Sequence, residues 1–109
     1  MIGKIKIGPI HYKVSIVPKV GLQNDGDDAE IDYRIQEIHL KYGLSPSYQS
    51  VCIMHEVIHG ILSQQNDNKI NNNEEFIDRF AHSLLQFIVD NEHLLSDLIQ
   101  TYKEEAKNE

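Results

Sequence analysis

Residues 51–62 read Val51-Cys52-Ile53-Met54-His55-Glu56-Val57-Ile58-His59-Gly60-Ile61-Leu62, an aliphatic run that encloses two histidines and a glutamate. A helix this apolar is expected to be buried nearly all round. The polar groups inside it then need partners, because burying an unpaired charge or imidazole is costly. Positions four apart project from one helix face, one turn above the other, so the rings of His55 and His59 can reach a single metal ion. A cation would supply the missing pairing. The plain alternative is a pair of core histidines hydrogen-bonded to their neighbours.

A catalytic zinc takes three protein ligands and keeps a fourth position for water, so the H-E-x-x-H sequence needs one more donor. The expected source is Asn73-Glu74-Glu75-Phe76-Ile77-Asp78, which opens a second apolar-periodic segment. Glu74 is the expected third ligand. Glu75 competes with it, since one residue rotates only about a third of a turn. Asp78 lies one turn beyond Glu74 on the same face, where its carboxylate can accept the free ring N–H of a ligating histidine and fix the tautomer. Glu56, beside the ligands, is left as the general base.

His55-Glu56-x-x-His59 with Asn73-Glu74-x-x-x-Asp78 resembles the gluzincin signature of thermolysin-like metallopeptidases. The continuation Glu74-Glu75-Phe76-Ile77-Asp78-Arg79-Phe80-Ala81, with Leu84-Leu85 beyond, is similar to the third-ligand helix of ImmA/IrrE-type peptidases, small proteins common on phages and mobile elements. The length and layout resemble compact phage-borne members and minigluzincins. The resemblance spans residues 30–91. It implies one Zn2+ held by His55, His59 and Glu74, support from Asp78, catalysis by Glu56, and a protein substrate such as a phage or mobile-element regulator. The interval from His59 to Glu74 is short for a thermolysin-like enzyme, and no lower domain follows to supply the usual substrate-binding groups.

At 109 residues the chain is expected to form one domain, 1–109, with a modest core and a surface groove in place of a deep cleft. A net charge of −7 opposes a phosphate-binding surface, so nucleic acid is not an expected partner. The one cysteine, Cys52, excludes an intramolecular disulfide, and an apolar neighbourhood marks it as a core thiol. Met1-Ile2-Gly3-Lys4-Ile5-Lys6 lacks the apolar run of a signal peptide, and charged or polar residues interrupt every candidate membrane span. The expected location is the cytoplasm.

The expected fold class is α+β: a small N-terminal antiparallel sheet of about three strands packed on three helices, a minimal zincin-like layout. Ile5 and Ile7, then Ile10, Tyr12, Val14 and Ile16, alternate with polar residues, and the phase shift at Gly8-Pro9 marks a bulge or turn between two strands. Pro18 ends the second strand, and Gln23-Asn24-Asp25-Gly26-Asp27-Asp28 reads as a solvated turn whose spacing does not fit a calcium loop. Residues 31–40 are expected as a third strand. Residues 35–40 are expected as its free edge, where an extended peptide substrate could dock through main-chain hydrogen bonds.

Ser45-Pro46 supplies a cap and a proline for the metal helix, which should run to about Gln64. Residues 65–73 read as a linker. The second helix should turn Phe76, Ile77, Phe80, Ala81, Leu84, Leu85, Ile88 and Val89 inward, and Asn91 should cap a third helix carrying Leu94, Leu95, Leu98, Ile99 and Tyr102. The charged tail from Lys103 is expected to fray. His82 falls on the face of Glu74 and Asp78 and either lines the site or packs structurally; His39 is open to both readings, and His11 and His93 read as surface residues.

Three functions compete: a zinc-dependent peptidase, a non-catalytic metal-stabilised module that binds peptide or protein, and a structural component whose motif is accidental. The first predicts that Glu56→Gln retains metal and loses cleavage. The sequence leaves the oligomeric state open.

Overall fold

In the computed structural model, which describes residues 2–20 and 27–107, the chain is α+β, with four strands and four helices among those residues. Residues 23–26 of the polar turn lie outside the described residues. β1 (Gly3–Ile7) and β2 (Ile10–Val17) form a hairpin, Ile7 pairing with Ile10 across Gly8-Pro9. Gly8 has φ +57°, as the first central position of a tight hairpin turn requires, so the phase shift is a turn and not a bulge.

The third strand departs from expectation. Residues 31–40 are not one strand: β3 (Ala29–Asp32) and β4 (Glu37–Lys41) are the arms of a hairpin turned by residues 33–36. The sheet order is β1-β2-β4-β3, with β4 parallel to β2, so the sheet is mixed and four-stranded. The segment expected as a free edge therefore sits inside the sheet, paired on both sides, and the outer strand is β3. Burial explains the placement. Ile38 and Leu40 are fully buried, and a central position covers them, whereas β3 alternates Glu30 and Asp32 with apolar residues and suits an edge.

α1 (Pro46–Gln64) lies between the sheet and α3 (Glu74–Asp90). Ser45 caps it, its Oγ accepting from the Tyr48 N–H, with Pro46 at the first helical position. One side of α1, at Cys52, Ile53 and Val57, packs on Ile7, Tyr12, Val14, Ile38 and Leu40 from the sheet. The opposite side, at Met54, Ile58 and Leu62, packs on Ile77, Ala81 and Leu84 of α3. The helix is thus buried on two sides, not all round: Ile61 stays exposed.

A Schellman motif ends α1. The Asp67 N–H reaches the Leu62 carbonyl and the Asn66 N–H reaches that of Ser63, with Asn66 left-handed at φ +57°. The chain then enters α2 (Asn68–Asn71), a single capped turn within the expected linker. α3 follows with Asn73 as its cap. Only Ile77 and Ala81 of α3 are fully enclosed; of the residues expected inward, Phe76 and Phe80 stack on each other on a face turned from the α1 contact, and Ile88 and Val89 lie beyond it, so all four are exposed. α4 (Glu92–Lys107) has no buried residue and stays helical through Lys103–Lys107, where fraying was expected.

Close helix–sheet approach depends on Gly60. A Cβ there would stand 2.8 Å from Ile7 Cδ1 and 3.3 Å from Ile31 Cδ1. Gly60→Leu should therefore overpack the interface and destabilise the chain by roughly 1–3 kcal/mol, read as a lower urea midpoint at unchanged slope.

Candidate metal centre

The Nε2 atoms of His55 and His59 lie 3.1 Å apart on the outer rim of α1, between its sheet side and its α3 side. Glu74, at the N-terminus of α3, completes a triangle: Oε2 is 3.1 Å from His55 Nε2 and Oε1 is 3.0 Å from His59 Nε2. A tetrahedron with bonds of about 2.0–2.1 Å has edges of roughly 3.3 Å, so these spacings fit donors that share one zinc-sized cation. Donor atoms of His55, His59 and Glu74 all lie within 4.8 Å of one another, and no other such group of three occurs among the described residues.

The outer faces of both rings are tied. Asp78 Oδ1 lies 2.8 Å from His55 Nδ1, and Asn71 Oδ1 lies 2.5 Å from His59 Nδ1. Both partners are acceptors, so in the neutral rings the proton sits at Nδ1 and donates outward. Each Nε2 then presents a lone pair to the other ring and to the carboxylate of Glu74. With both rings neutral these converging acceptors repel one another, and a proton or a metal cation held between them relieves the conflict. The donor set of two imidazoles and one carboxylate suits Zn2+ and leaves its fourth position open.

Glu74 and Asp78, spaced one turn apart on α3, act at different points: the first meets both Nε2 atoms and the second anchors a ring from behind. Glu75 points elsewhere, its Oε1 being 3.8 Å from Arg79, and takes no part in the triangle. Asn71 was missed in the sequence because residues 65–73 read as linker. The signal was present, since Asp67 ahead of Asn68-Lys69-Ile70-Asn71 is a cap, and the single turn it starts aims Asn71 at His59.

Glu56 is 6% exposed, and its Oε2 lies 4.0 Å from His55 Nε2. Burial is the chief cause that pushes its carboxyl up to about 7; His55 and His59 oppose the shift, and Glu74 and Asp27 add to it. Cys52 is buried, and loss of hydration raises its thiol pKa, in keeping with a core role. The site opens into a hollow of about 1200 Å³ lined by β3, α1, α2 and α3, with Tyr33 from the β3–β4 turn on its wall. His82 lines this hollow as well, its Nδ1 2.9 Å from the Asp78 carbonyl. His39 instead lies in the sheet beside Glu30 and Glu37, and His11 and His93 are exposed.

The raised Glu56 pKa makes stability depend on pH in a definite sense. A folded carboxyl that holds its proton more tightly than the ordinary 4.5 costs nothing at low pH, and stability falls as pH rises from about 4.5 through about 7. In chelator-treated protein, Glu56→Gln should gain on wild type by roughly 2 kcal/mol between about pH 5 and pH 8, read from paired denaturation curves. An unchanged difference would mean that Glu56 is hydrated. Compared with known proteins, the chain matches no family model, no curated protein and no solved structure.

Proposed function

We propose that this chain is a zinc-dependent peptidase of the gluzincin type that hydrolyses peptide bonds of a protein substrate. The observation that carries the reading is the convergence of three potential donor atoms, the ring nitrogens of His55 and His59 and a carboxylate oxygen of Glu74, with both rings anchored from behind and a buried carboxyl group beside them.

A Zn2+ ion held by His55, His59 and Glu74 would polarise a scissile carbonyl and lower the pKa of water to about 7. Asp78 and Asn71 hold the two rings in the tautomer that presents Nε2 to the cation. Glu56, raised towards neutrality by burial, accepts a proton from the attacking water and returns it to the leaving amine. The outer edge of β3 borders the hollow, and among the described residues no strand pairs with it on that side, so an extended peptide can align along residues 29–32 by strand addition. This replaces residues 35–40 as the docking edge. The resemblance to ImmA/IrrE-type peptidases favours a cytoplasmic regulator of a phage or mobile element as the substrate. No helix of the described residues is long and apolar enough to cross a membrane.

Elemental analysis of gently purified protein should return about one zinc per chain, in line with a closed set of three ligands. Glu74→Ala should lose the metal and Glu75→Ala should keep it; the reverse pattern would transfer the ligand role. Asn71→Ala should weaken zinc affinity by roughly 10–100-fold in competition with a chromogenic chelator, as loss of an anchoring partner does.

Cleavage of a diverse peptide library, read by mass spectrometry, decides between catalysis and binding. Glu56→Gln should retain zinc and lose at least about 10²-fold in rate. A wild type that binds peptides but cleaves none, with Glu56→Gln indistinguishable from it, would make the chain a metal-stabilised binding module.

A further inference from the structure

α4 touches no element of the described chain except α3, at their joint, and its large apolar side chains other than the partly buried Leu95 are exposed. Leu94 is 58% exposed, Leu98 and Ile99 are each 55%, and Tyr102 is 78%. The long axis of the molecule measures 48 Å against 29 and 28 Å for the others, an excess close to the roughly 24 Å that sixteen helical residues span. The radius of gyration, 15.2 Å, likewise exceeds the roughly 13 Å of a compact chain this long. α4 therefore projects from the body.

The projecting face continues an interface that the chain already uses. Ile77, Ala81, Leu84, Ile88, Asn91, Leu95, Leu98 and Tyr102 recur in the sequence at alternating intervals of four and three, a coiled-coil period shared by α3 and α4 on either side of the helix break at Asn91. The first three pack on α1. Beyond them the stripe has no partner and is widened by Phe87, Leu94 and Ile99. Six half-open large side chains, Phe87, Ile88, Leu94, Leu98, Ile99 and Tyr102, offer roughly 600 Å² at about 100 Å² each. With the flanking Phe80 and Val89 the patch approaches the roughly 800 Å² that each partner contributes to a stable interface. Monomeric proteins seldom expose a contiguous apolar patch so large.

We infer that a second copy of this chain covers this stripe, with the two α4 helices packed antiparallel about a two-fold axis. One stripe per chain is self-complementary under that symmetry, and the contact closes at two copies. Charge favours the antiparallel sense. The first half of α4 carries Glu92 and Asp97, whereas both of its lysines, Lys103 and Lys107, lie in the second half beside Glu104 and Glu105. Antiparallel alignment sets the acidic half of one helix against the lysine-bearing half of the other and opposes their dipoles. The interface lies on the far end of α3 from Glu74, so the metal centre stays open in the dimer.

Sedimentation velocity and light scattering on the full chain test this. The wild type should show twice the chain mass of 12.6 kDa at tens of micromolar, since interfaces of this size hold at about micromolar or tighter. Leu98→Lys should return the chain to the monomer mass with its helical circular dichroism kept, and Gln100→Lys, which adds the same charge on the opposite side of α4, should remain dimeric. Should Leu98→Lys lose helicity, Leu94→Lys on the same face replaces it. A wild type that stays monomeric up to about 100 μM, a mass that climbs without a plateau, or a dimer that both lysine variants leave intact would overturn the inference.

Discussion

α1 packs against the sheet on one side and α3 on the other, and the arrangement of the site follows from that double burial. With Cys52, Glu56 and Gly60 turned into the sheet and Met54, Ile58 and Leu62 turned into α3, the strip that holds His55 and His59 is left on the rim, half-covered. Rim placement keeps the rings near solvent while their neighbours lose it. The result is a polar seam between two apolar contacts, in which buried Glu56 stands beside the donors.

The same packing fixes the third donor. α3 crosses α1 with its N-terminal half in contact, because Ile77 and Ala81 are the residues it buries. Glu74 and Asp78 lie one turn apart on the face beside this contact and so arrive at the two histidines together. The helix N-terminus also favours carboxylates electrostatically, Glu74 occupying the first turn. Asn71 reaches His59 by a different route. The Schellman turn at Asn66 reverses the chain, and the one-turn helix α2 carries Asn71 back over the rim.

The energetic tension in the site is local. Each histidine ring ties its outer nitrogen to a fixed acceptor and so turns Nε2 inward. Glu74 adds its own negative charge, and buried Glu56 is pushed towards its neutral form by the same lack of water. With both rings neutral, their inner nitrogens and the Glu74 carboxylate face one another as acceptors. A divalent cation would satisfy these converging atoms together, and the small core beneath sets the distances at which they meet.

Much of the site was legible in the chain. The four-residue interval of His55 and His59, the capped start at Ser45-Pro46, and the Glu74–Asp78 spacing are local helix periodicities, and helical geometry turns each into a shared face without further information. The α+β class follows in the same way from the change of apolar period along the chain. Which face meets which partner is not local. Residues 31–40 show apolar residues at both ends of a hairpin, and only the pairing of Ile38 and Leu40 into the sheet centre decides that β4 is interior and β3 the edge. Apolar stripes on α3 and α4 look alike in sequence, yet α1 packs on the first only, along Ile77, Ala81 and Leu84. The choice between Glu74 and Glu75, and the arrival of Asn71 behind His59, depend on where α3 and α2 are set against α1, because a rotation of one residue or a shift of one turn moves a donor out of reach. Sequence determined the donor types and their helical spacing; tertiary packing decided which of them converge, since convergence is a property of distances between segments that the chain order does not contain.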